Sequence, residues 1–167
     1  YLWYAADCDI SLQSVALTAS RVPFLKVPKL TREVIPDDAL KALLSAPPDT
    51  NIGRRDRLIL ILLYDSAVRV SELLSMNVSS VNLEADIPYL RIYGKGDKER
   101  RVYFDAKAKV HLQEYIERRQ DNNQALFVTL DAPHDRLKIS GVEIRLRQLG
   151  RRLDLERIHP HKFRRTM

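Results

Sequence analysis

Four residues of this chain are of types that could act together on a phosphate ester: Arg69, Lys95, His161 and Arg164. A guanidinium group can meet two phosphate oxygens with parallel N–H donors, and a histidine can add a further hydrogen bond. A lysine beside a phosphodiester can protonate an oxygen that gains negative charge as its bond to phosphorus breaks. Together the four side chains could hold one phosphodiester and ease its cleavage.

Arg69 lies in the segment Val-Arg-Val-Ser-Glu-Leu-Leu, which directly follows an aliphatic block. Glu72 is three residues further on, so a helical turn would bring its carboxylate within reach of the Arg69 guanidinium. The start of a helix also offers free backbone donors to a phosphate. The alternative is a surface Arg–Glu pair of little energetic weight, because this spacing is common on helices.

Lys95 lies in the segment Gly-Lys-Gly-Asp-Lys-Glu-Arg, residues 94–100, between two strand-like stretches. The pattern predicts a β-hairpin with strands at 87–93 and 101–104. Pro88 favours an edge position for the first strand, since proline donates no ladder hydrogen bond. The alternative is that glycine and polar residues occur here only because a turn favours them. The spacing is not that of a Walker A phosphate-binding loop.

His161 and Arg164 are three residues apart, so a helix places them on one face. The alternative is a histidine at a helix start and a solvated arginine. An arginine-rich stretch leads into this segment, and we interpret it as a contact to a nucleic-acid backbone, although a charge run is usually a solvated face. The stretch contains Arg145, Arg147, Arg151, Arg152 and Arg157. The four histidines are too scattered to predict a metal site.

The remaining pattern predicts the elements that must position these residues. Helices are predicted from apolar periodicity and capping signals at 9–19, from Pro36 through Leu44, at 54–65, 70–76, 105–120 and 140–153, and from His159 onward. A linker is predicted at 26–30, a loop at 46–53, a polar connection at 77–86 and a short strand at 125–130. The expected fold class is mainly α (α+β), with a small antiparallel sheet or hairpin.

Several side chains are expected at defined places. Asp105 should cap its helix, and Ser140 with Glu143 should form a capping box. Inward-facing positions are predicted by helical spacing. They are Leu12, Val15, Ala16 and Ala19; Leu40, Leu43 and Leu44; Val110, Leu112, Tyr115 and Ile116; and Ile144, Leu146, Leu149 and Leu153.

Composition limits the possible partners. The 167 residues suit one domain with a short piece of another, and the net charge of +6 with a pI near 9.5 favours a polyanion. Nucleic acid comes first and an anionic membrane surface second. The longest apolar run, residues 58–64, is far shorter than the roughly 20 residues of a membrane-spanning helix. Cys8 is the only cysteine, so no internal disulfide can form.

The three motif segments, in this order, resemble the catalytic domain of the tyrosine recombinases, the phage-integrase and Xer-like family. The resemblance covers about residues 31–167. It implies that residues 1–30 are the end of an N-terminal DNA-gripping (core-binding) domain with its linker, and that residues 31–167 belong to the catalytic domain. Three departures stand out: Ala67 or Val68 where the family often has Gly, Phe163 for Leu, and Arg165 for His.

The resemblance also implies a role for each residue. Arg69 and Arg164 would hold the scissile phosphate with help from His161, Lys95 would protonate the leaving 5′-oxygen, and Glu72 would support Arg69. Neither ATP nor a metal or other cofactor would be required, because bond energy is kept in a 3′-phosphotyrosyl link. Duplex DNA would contact a further basic set. Its members are Lys98, Arg100, Arg101, Arg145, Arg147, Arg151, Arg152, Lys162 and Arg165.

In the family the nucleophilic tyrosine follows the second arginine, after an intervening His or Trp. None of the seven tyrosines stands in that context, so we expect residues 1–167 alone neither to cleave nor to join DNA. The resemblance further implies a tetramer on DNA in the full-length protein, built by a C-terminal tail. It implies a cytoplasmic protein encoded by a bacterium or phage, with no membrane partner.

Three alternatives stay open at this point. A type IB topoisomerase shares the chemistry but relaxes DNA instead of recombining two sites. A non-catalytic remnant of an integrase would bind a DNA site without cutting it. A purely structural helical protein would show no salt-dependent DNA binding.

Overall fold

The computed structural model describes residues 2–23, 34–94, 98–155 and 157–166. The chain divides into two compact units, Tyr1–Thr31 and Arg32–Met167. The described part of the first unit, residues 2–23, contains two helices, α1 (Leu2–Cys8) and α2 (Gln13–Ser20), with a short 3₁₀ turn at Ile10–Leu12 between them. Of the apolar face predicted here, Ala16 is buried, whereas Leu12, Val15 and Ala19 are exposed. The predicted linker at 26–30 lies outside the described residues.

The second unit is mainly helical with one small sheet, which confirms the predicted fold class. Its helices are α3 (Asp37–Ser45), α4 (Asn51–Asp65), α5 (Val70–Ser75), α6 (Ala106–Glu117), α7 (Ile139–Arg152) and α8 (Pro160–Thr166). Its strands are β1 (Val81–Asn82), β2 (Tyr89–Tyr93) and β3 (Glu99–Tyr103), and a 3₁₀ turn at Val78–Ser80 precedes β1. No helix in the described ranges is long and apolar enough to cross a membrane.

Helix α4 is the centre of the second unit. Its aliphatic block is almost completely buried, and it packs against α3, α6 and α8. Thr50 caps its start by accepting a hydrogen bond from the Gly53 amide at 3.1 Å, so the helix begins at Asn51 inside the segment predicted as a loop. A Cβ at Gly53 would lie 1.9 Å from the Pro48 carbonyl oxygen, so only glycine fits there.

The sheet corrects two predictions. Strand order is β1-β2-β3, all antiparallel, so β2 is the central strand and the edge position predicted from Pro88 is wrong. Pro88 precedes the first residue of β2 and costs no ladder hydrogen bond. Strand β1 falls within the segment predicted as a polar connection. The predicted strand at 125–130 is a buried stretch that makes only isolated bridges, Asn77 with Ala125 and Val128 with Arg136, within the described residues.

In the second unit, the predicted apolar faces of α6 and α7 and the predicted start of α7 differ in detail from the structure. Asp105 caps α6 as predicted, by accepting from the Ala108 amide at 2.7 Å. The capping box at Ser140 is wrong, because α7 begins at Ile139 and its N-cap residue, Lys138, makes no side-chain cap. Val110 and Ile144 are 61% and 50% exposed, since each helix packs a narrower stripe against the core than its apolar residues suggest. The other inward predictions in these helices and α3 are buried or half-buried. They are Leu40, Leu43, Leu44, Leu112, Tyr115, Ile116, Leu146, Leu149 and Leu153.

Candidate active site

Arg69 stands at the junction of α4 and α5. The chain leaves α4 at Ser66 and turns through Ala67, whose φ of 47° lies in the left-handed region. Val68 is then buried at 1% exposure, and Arg69 forms the N-cap of α5 with extended backbone angles. Because the turn and the buried valine fix the backbone on either side, the Arg69 side chain emerges at a defined place, and it is 54% exposed.

The carboxylate of Glu72 holds Arg69 in two ways. Its Oε2 accepts the Arg69 backbone N–H at 2.9 Å, and its Oε1 accepts Nη1 of the Arg69 guanidinium at 2.8 Å. The Glu72 side chain is only 9% exposed, so both bonds are shielded from water. One helical turn therefore brings the two side chains together as predicted, with the carboxylate buried and the guanidinium half-exposed.

A third donor comes from the sheet. Nη2 of Arg100 on β3 donates to Glu72 Oε2 at 2.7 Å, and the Arg100 side chain is 46% exposed. Burial by itself raises the pKa of the Glu72 carboxyl. The hydrogen bonds from the Arg69 backbone and side chain, with the charges of Arg100 and Arg69, outweigh burial and hold that pKa below its ordinary value. The cluster of Arg69, Glu72 and Arg100, called the arginine–glutamate cluster below, thus carries two cations and one anion.

His161 and Arg164 are both exposed on α8. The helix is anchored by Phe163, which is completely buried, and by Thr166, whose Oγ1 accepts from the Ile35 amide at 2.9 Å. Spacing of three residues puts His161 and Arg164 on one side of this helix. Helix α8 packs against α4, and α4 leads directly into Arg69, so a single buried helix supports both sets of predicted phosphate ligands.

His159 is half-buried beside them. Its ring meets that of His161 edge to face, with centroids 6.4 Å apart. Burial lowers the pKa of His159, and electrostatic interactions with His161, Lys162 and Arg165 lower it further. With Arg147, Arg151 and Arg157, His159 lines a basic surface cleft at the start of α8. A neutral imidazole adds no charge, so the positive charge of the cleft comes from its arginines.

Lys95 lies outside the described residues. The residues on either side of it do define the hairpin: the Gly94 amide donates to the Lys98 carbonyl at 3.0 Å, and the strand ladder continues from Tyr93 opposite Glu99. Its proposed general-acid role stays a prediction.

The predicted DNA contacts fall into two groups. One group is exposed: Lys98, Arg101, Arg147, Arg151, Arg152 and Arg165. The other is engaged within the fold or half-buried: Arg100 bonds Glu72, Lys162 is half-buried, and Arg145 Nε donates to Asp56 Oδ2 at 2.6 Å with a side chain 28% exposed. For Arg100 and Arg145 a structural partner therefore accompanies the predicted DNA contact.

Sequence reasoning missed the charged cluster beneath Arg145. Asp56 on α4 is 5% exposed, and it also accepts from the neighbouring Arg55, which is 6% exposed and donates to the Val128 carbonyl at 3.0 Å. The run Arg-Arg-Asp-Arg at 54–57 resembles a solvated helix start. Its only distinguishing signal is that it leads straight into the buried aliphatic block.

The tyrosines of β2 and β3 lie on the face of the sheet opposite Arg100. Tyr89, Tyr93 and Tyr103 share one face of the sheet, because side chains alternate along a strand, and Arg100 pairs with Ile92 on the opposite face. Tyr115 is buried in the core against Phe127. Among the described residues, no group of three or more His, Cys, Asp or Glu side chains could hold a metal ion.

Comparison with known proteins identifies the family. The sequence model of the phage integrase family matches residues 33–167. The chain belongs to the phage integrase family. Proteins similar to this chain include tyrosine recombinases. The tyrosine recombinase XerA of Pyrococcus furiosus is 31% identical over 147 residues, which cover 87% of this chain and 50% of that protein. XerC of Stutzerimonas stutzeri is 33% identical over 139 residues, covering 81% and 45%.

Solved structures of the family agree with the fold. The crystal structure of XerA recombinase aligns with a TM-score of 0.68 at 27% identity, covering 94% of this chain and 56% of that one. The Tn1549 transposon integrase in complex with circular intermediate DNA aligns with a TM-score of 0.67 at 13% identity, covering 93% and 62%, which is a likeness of fold. The chain spans about half the length of the curated relatives that it matches.

Proposed function

We propose that this chain is the phosphate-binding part of a site-specific DNA recombinase or integrase. In the full-length protein it binds duplex DNA, and it cleaves and rejoins strands through a 3′-phosphotyrosyl intermediate. The observation that carries the proposal is the half-exposed Arg69 guanidinium, held by a buried carboxylate inside a domain of the phage integrase family. A guanidinium fixed before substrate arrives loses little freedom on binding, so it is suited to a phosphate whose charge grows in the transition state.

The proposed chemistry assigns one role to each residue. Arg69 and Arg164 bind the non-bridging oxygens, and His161 donates a further hydrogen bond. The tyrosine oxygen attacks phosphorus, the bond from phosphorus to the 5′-oxygen breaks, and Lys95 gives that oxygen its proton. A 5′-hydroxyl of a partner strand then attacks the phosphotyrosine and releases the tyrosine. The number of phosphodiester-type bonds is unchanged, so the exchange needs no ATP.

Duplex DNA is the proposed partner. The solved relatives with this fold include XerH bound to its difH substrate before and after cleavage. The net charge of +6 and the exposed arginines of α7 and α8 support the same partner for this chain. We further propose that the first compact unit is the end of a DNA-gripping domain. The full-length protein would assemble as a tetramer on DNA in the cytoplasm.

The test is capture of the covalent intermediate. The full-length protein is incubated with genomic DNA of its host, the mixture is denatured, and DNA that stays attached to protein is sequenced. Wild type should yield adducts at a defined sequence. Arg69→Ala and Arg164→Ala should yield at least about a hundredfold fewer, the scale of losing one group that stabilises transition-state charge.

Three outcomes would replace the proposal. Adducts without strand transfer between two duplexes, but with relaxation of supercoils, would indicate a topoisomerase. Salt-dependent binding without adducts, unchanged in both variants, would indicate a non-catalytic DNA-binding protein. If the protein shows no salt-dependent DNA binding, the remaining interpretation is a structural helical protein.

A further inference from the structure

We propose that Arg100 is a positioning residue that acts on the phosphate-binding arginine through Glu72, and is not itself a contact to the DNA backbone. The inference rests on the proposed function. It starts from the direct bond between Arg100 on β3 and the carboxylate that holds Arg69.

The two oxygens of Glu72 have different partners. Oε1 accepts the Arg69 guanidinium, whereas Oε2 accepts the Arg69 backbone N–H and Arg100 Nη2. Oε2 thus fixes the carboxylate and Oε1 directs the guanidinium. Within the described ranges, Arg100 is the donor that reaches this carboxylate from outside the α5 turn, 28 residues along the chain.

Without Arg100, the carboxylate would be held on the side of Oε2 by one backbone donor alone. A glutamate side chain has three rotatable bonds, and a half-exposed arginine has more, so losing one of the three hydrogen bonds gives the pair more freedom to change rotamer. The bond from Arg100 on β3 reduces that freedom. Misplacing a phosphate ligand by about 1 Å can reduce a rate by about a hundredfold.

The bond also ties two parts of the proposed site to each other. Arg100 is the second residue of β3, in register with Ile92, and lies five residues after Lys95 in the sequence. Glu72 belongs to α5, whose first residues follow Arg69. The Arg100–Glu72 bond therefore links strand β3 to the helical turn that holds the phosphate-binding arginine.

Arg91 provides a matched control. It lies on the neighbouring strand β2, is 43% exposed, and pairs with Glu99 at 3.6 Å on the face of the sheet opposite Arg100. Changing Arg91 to Gln removes the same charge from the same sheet without touching the arginine–glutamate cluster.

The experiment measures single-turnover cleavage and DNA binding separately in the full-length protein, using the duplex recovered by adduct capture. In Arg100→Gln we expect a cleavage rate at saturating DNA about 10- to 100-fold below wild type, because the carboxylate that positions the Arg69 guanidinium loses one of its three donors. The Kd and the slope of log Kd against log salt should match those of Arg91→Gln. Arg100→Lys keeps the charge and a donor and should recover most of the rate.

A double mutant tests the route through Glu72. If Arg100 acts through that carboxylate, Glu72→Gln combined with Arg100→Gln should cleave no more slowly than Glu72→Gln alone. The inference is overturned by additive losses, or by an unchanged rate in Arg100→Gln. It is also overturned if Arg100→Gln lowers the salt slope by about one relative to Arg91→Gln, which is the signature of a lost phosphate contact.

The two proposals fail in different ways. If wild type forms no adduct, the proposed function is wrong and this inference is wrong with it. If wild type forms adducts and the Arg100 variants cleave normally, only this inference is wrong. Thermal unfolding of each variant accompanies the assay, and Arg100→Lys provides the rate comparison if Arg100→Gln unfolds.

Discussion

Changing Asp56 to Asn should destabilise the second compact unit far more than an equivalent change at the surface. Asp56 is 5% exposed and serves as counter-ion to Arg55, which is 6% exposed, and to Arg145. Asparagine keeps the shape but removes the charge, so Arg55 stays buried without a counter-ion. Breaking such a buried pair costs about 3–5 kcal/mol.

The lower end of that range applies here. The Arg145 side chain is 28% exposed and can turn towards water, whereas Arg55 is held at the Val128 carbonyl and cannot. We therefore expect a loss of about 3 kcal/mol, which is a large share of the roughly 5–15 kcal/mol that stabilises a folded domain. At about 2–4 °C per kcal/mol for a chain of this size, the melting temperature should fall by roughly 6–12 °C.

Asp49→Asn is the matched control. Asp49 accepts from Arg54 Nε at 2.7 Å, close to the 2.6 Å between Asp56 and Arg145, but its side chain is 77% exposed. Water screens this pair, so its loss should leave stability unchanged within error. Urea unfolding, followed by far-ultraviolet circular dichroism, gives both free energies. Equal losses in the two variants would refute the reasoning, because they would mean that burial of the charges does not matter.

Two further predictions concern the approach to Arg69 and the carboxylate beside it. Ala67→Gly should stabilise the protein by up to about 1.6 kcal/mol. It removes left-handed backbone strain of about 1–2 kcal/mol, and the greater conformational entropy of the unfolded chain offsets about 0.4–1 kcal/mol of that gain. The control is Ala46→Gly, at a φ of −66°, which should destabilise the protein. If urea unfolding shows that both variants are less stable than wild type, the strain argument is contradicted. Because the folded-state pKa of Glu72 lies below its ordinary value of 4.5, its contribution to stability is present above that pH and is lost as pH falls through the folded-state pKa. The free energy of unfolding, measured from pH 7 to pH 3, should therefore decline less steeply in Glu72→Gln than in wild type. Parallel curves of unfolding free energy against pH would contradict a stabilising contribution of the Glu72 carboxylate.

Much of the helical framework could be predicted from the sequence because it depends on local pattern. The aliphatic block of α4, the short helix after Arg69 and the Asp105 cap are each set by residues within one or two turns of each other. The contact of Glu72 with Arg69 was predictable for the same reason. The predictions were wrong where packing overrides local pattern. Val110 is apolar and lies on a helix, but it is 61% exposed, and β2 is central because β1 pairs with it.

What the sequence alone determined is therefore the set of motifs, their order and the helices and hairpin that carry them. Only the tertiary structure decided which charges meet. Arg100 and Glu72 are 28 residues apart, and Arg145 and Asp56 are 89 residues apart. The sequence predicts DNA contacts for both arginines, for Arg145 because its arginine-rich stretch leads into the proposed phosphate site and for Arg100 through the family resemblance. The physical reason is that a buried carboxylate attracts whichever cation the fold brings within about 3 Å, and that pairing depends on how the elements pack.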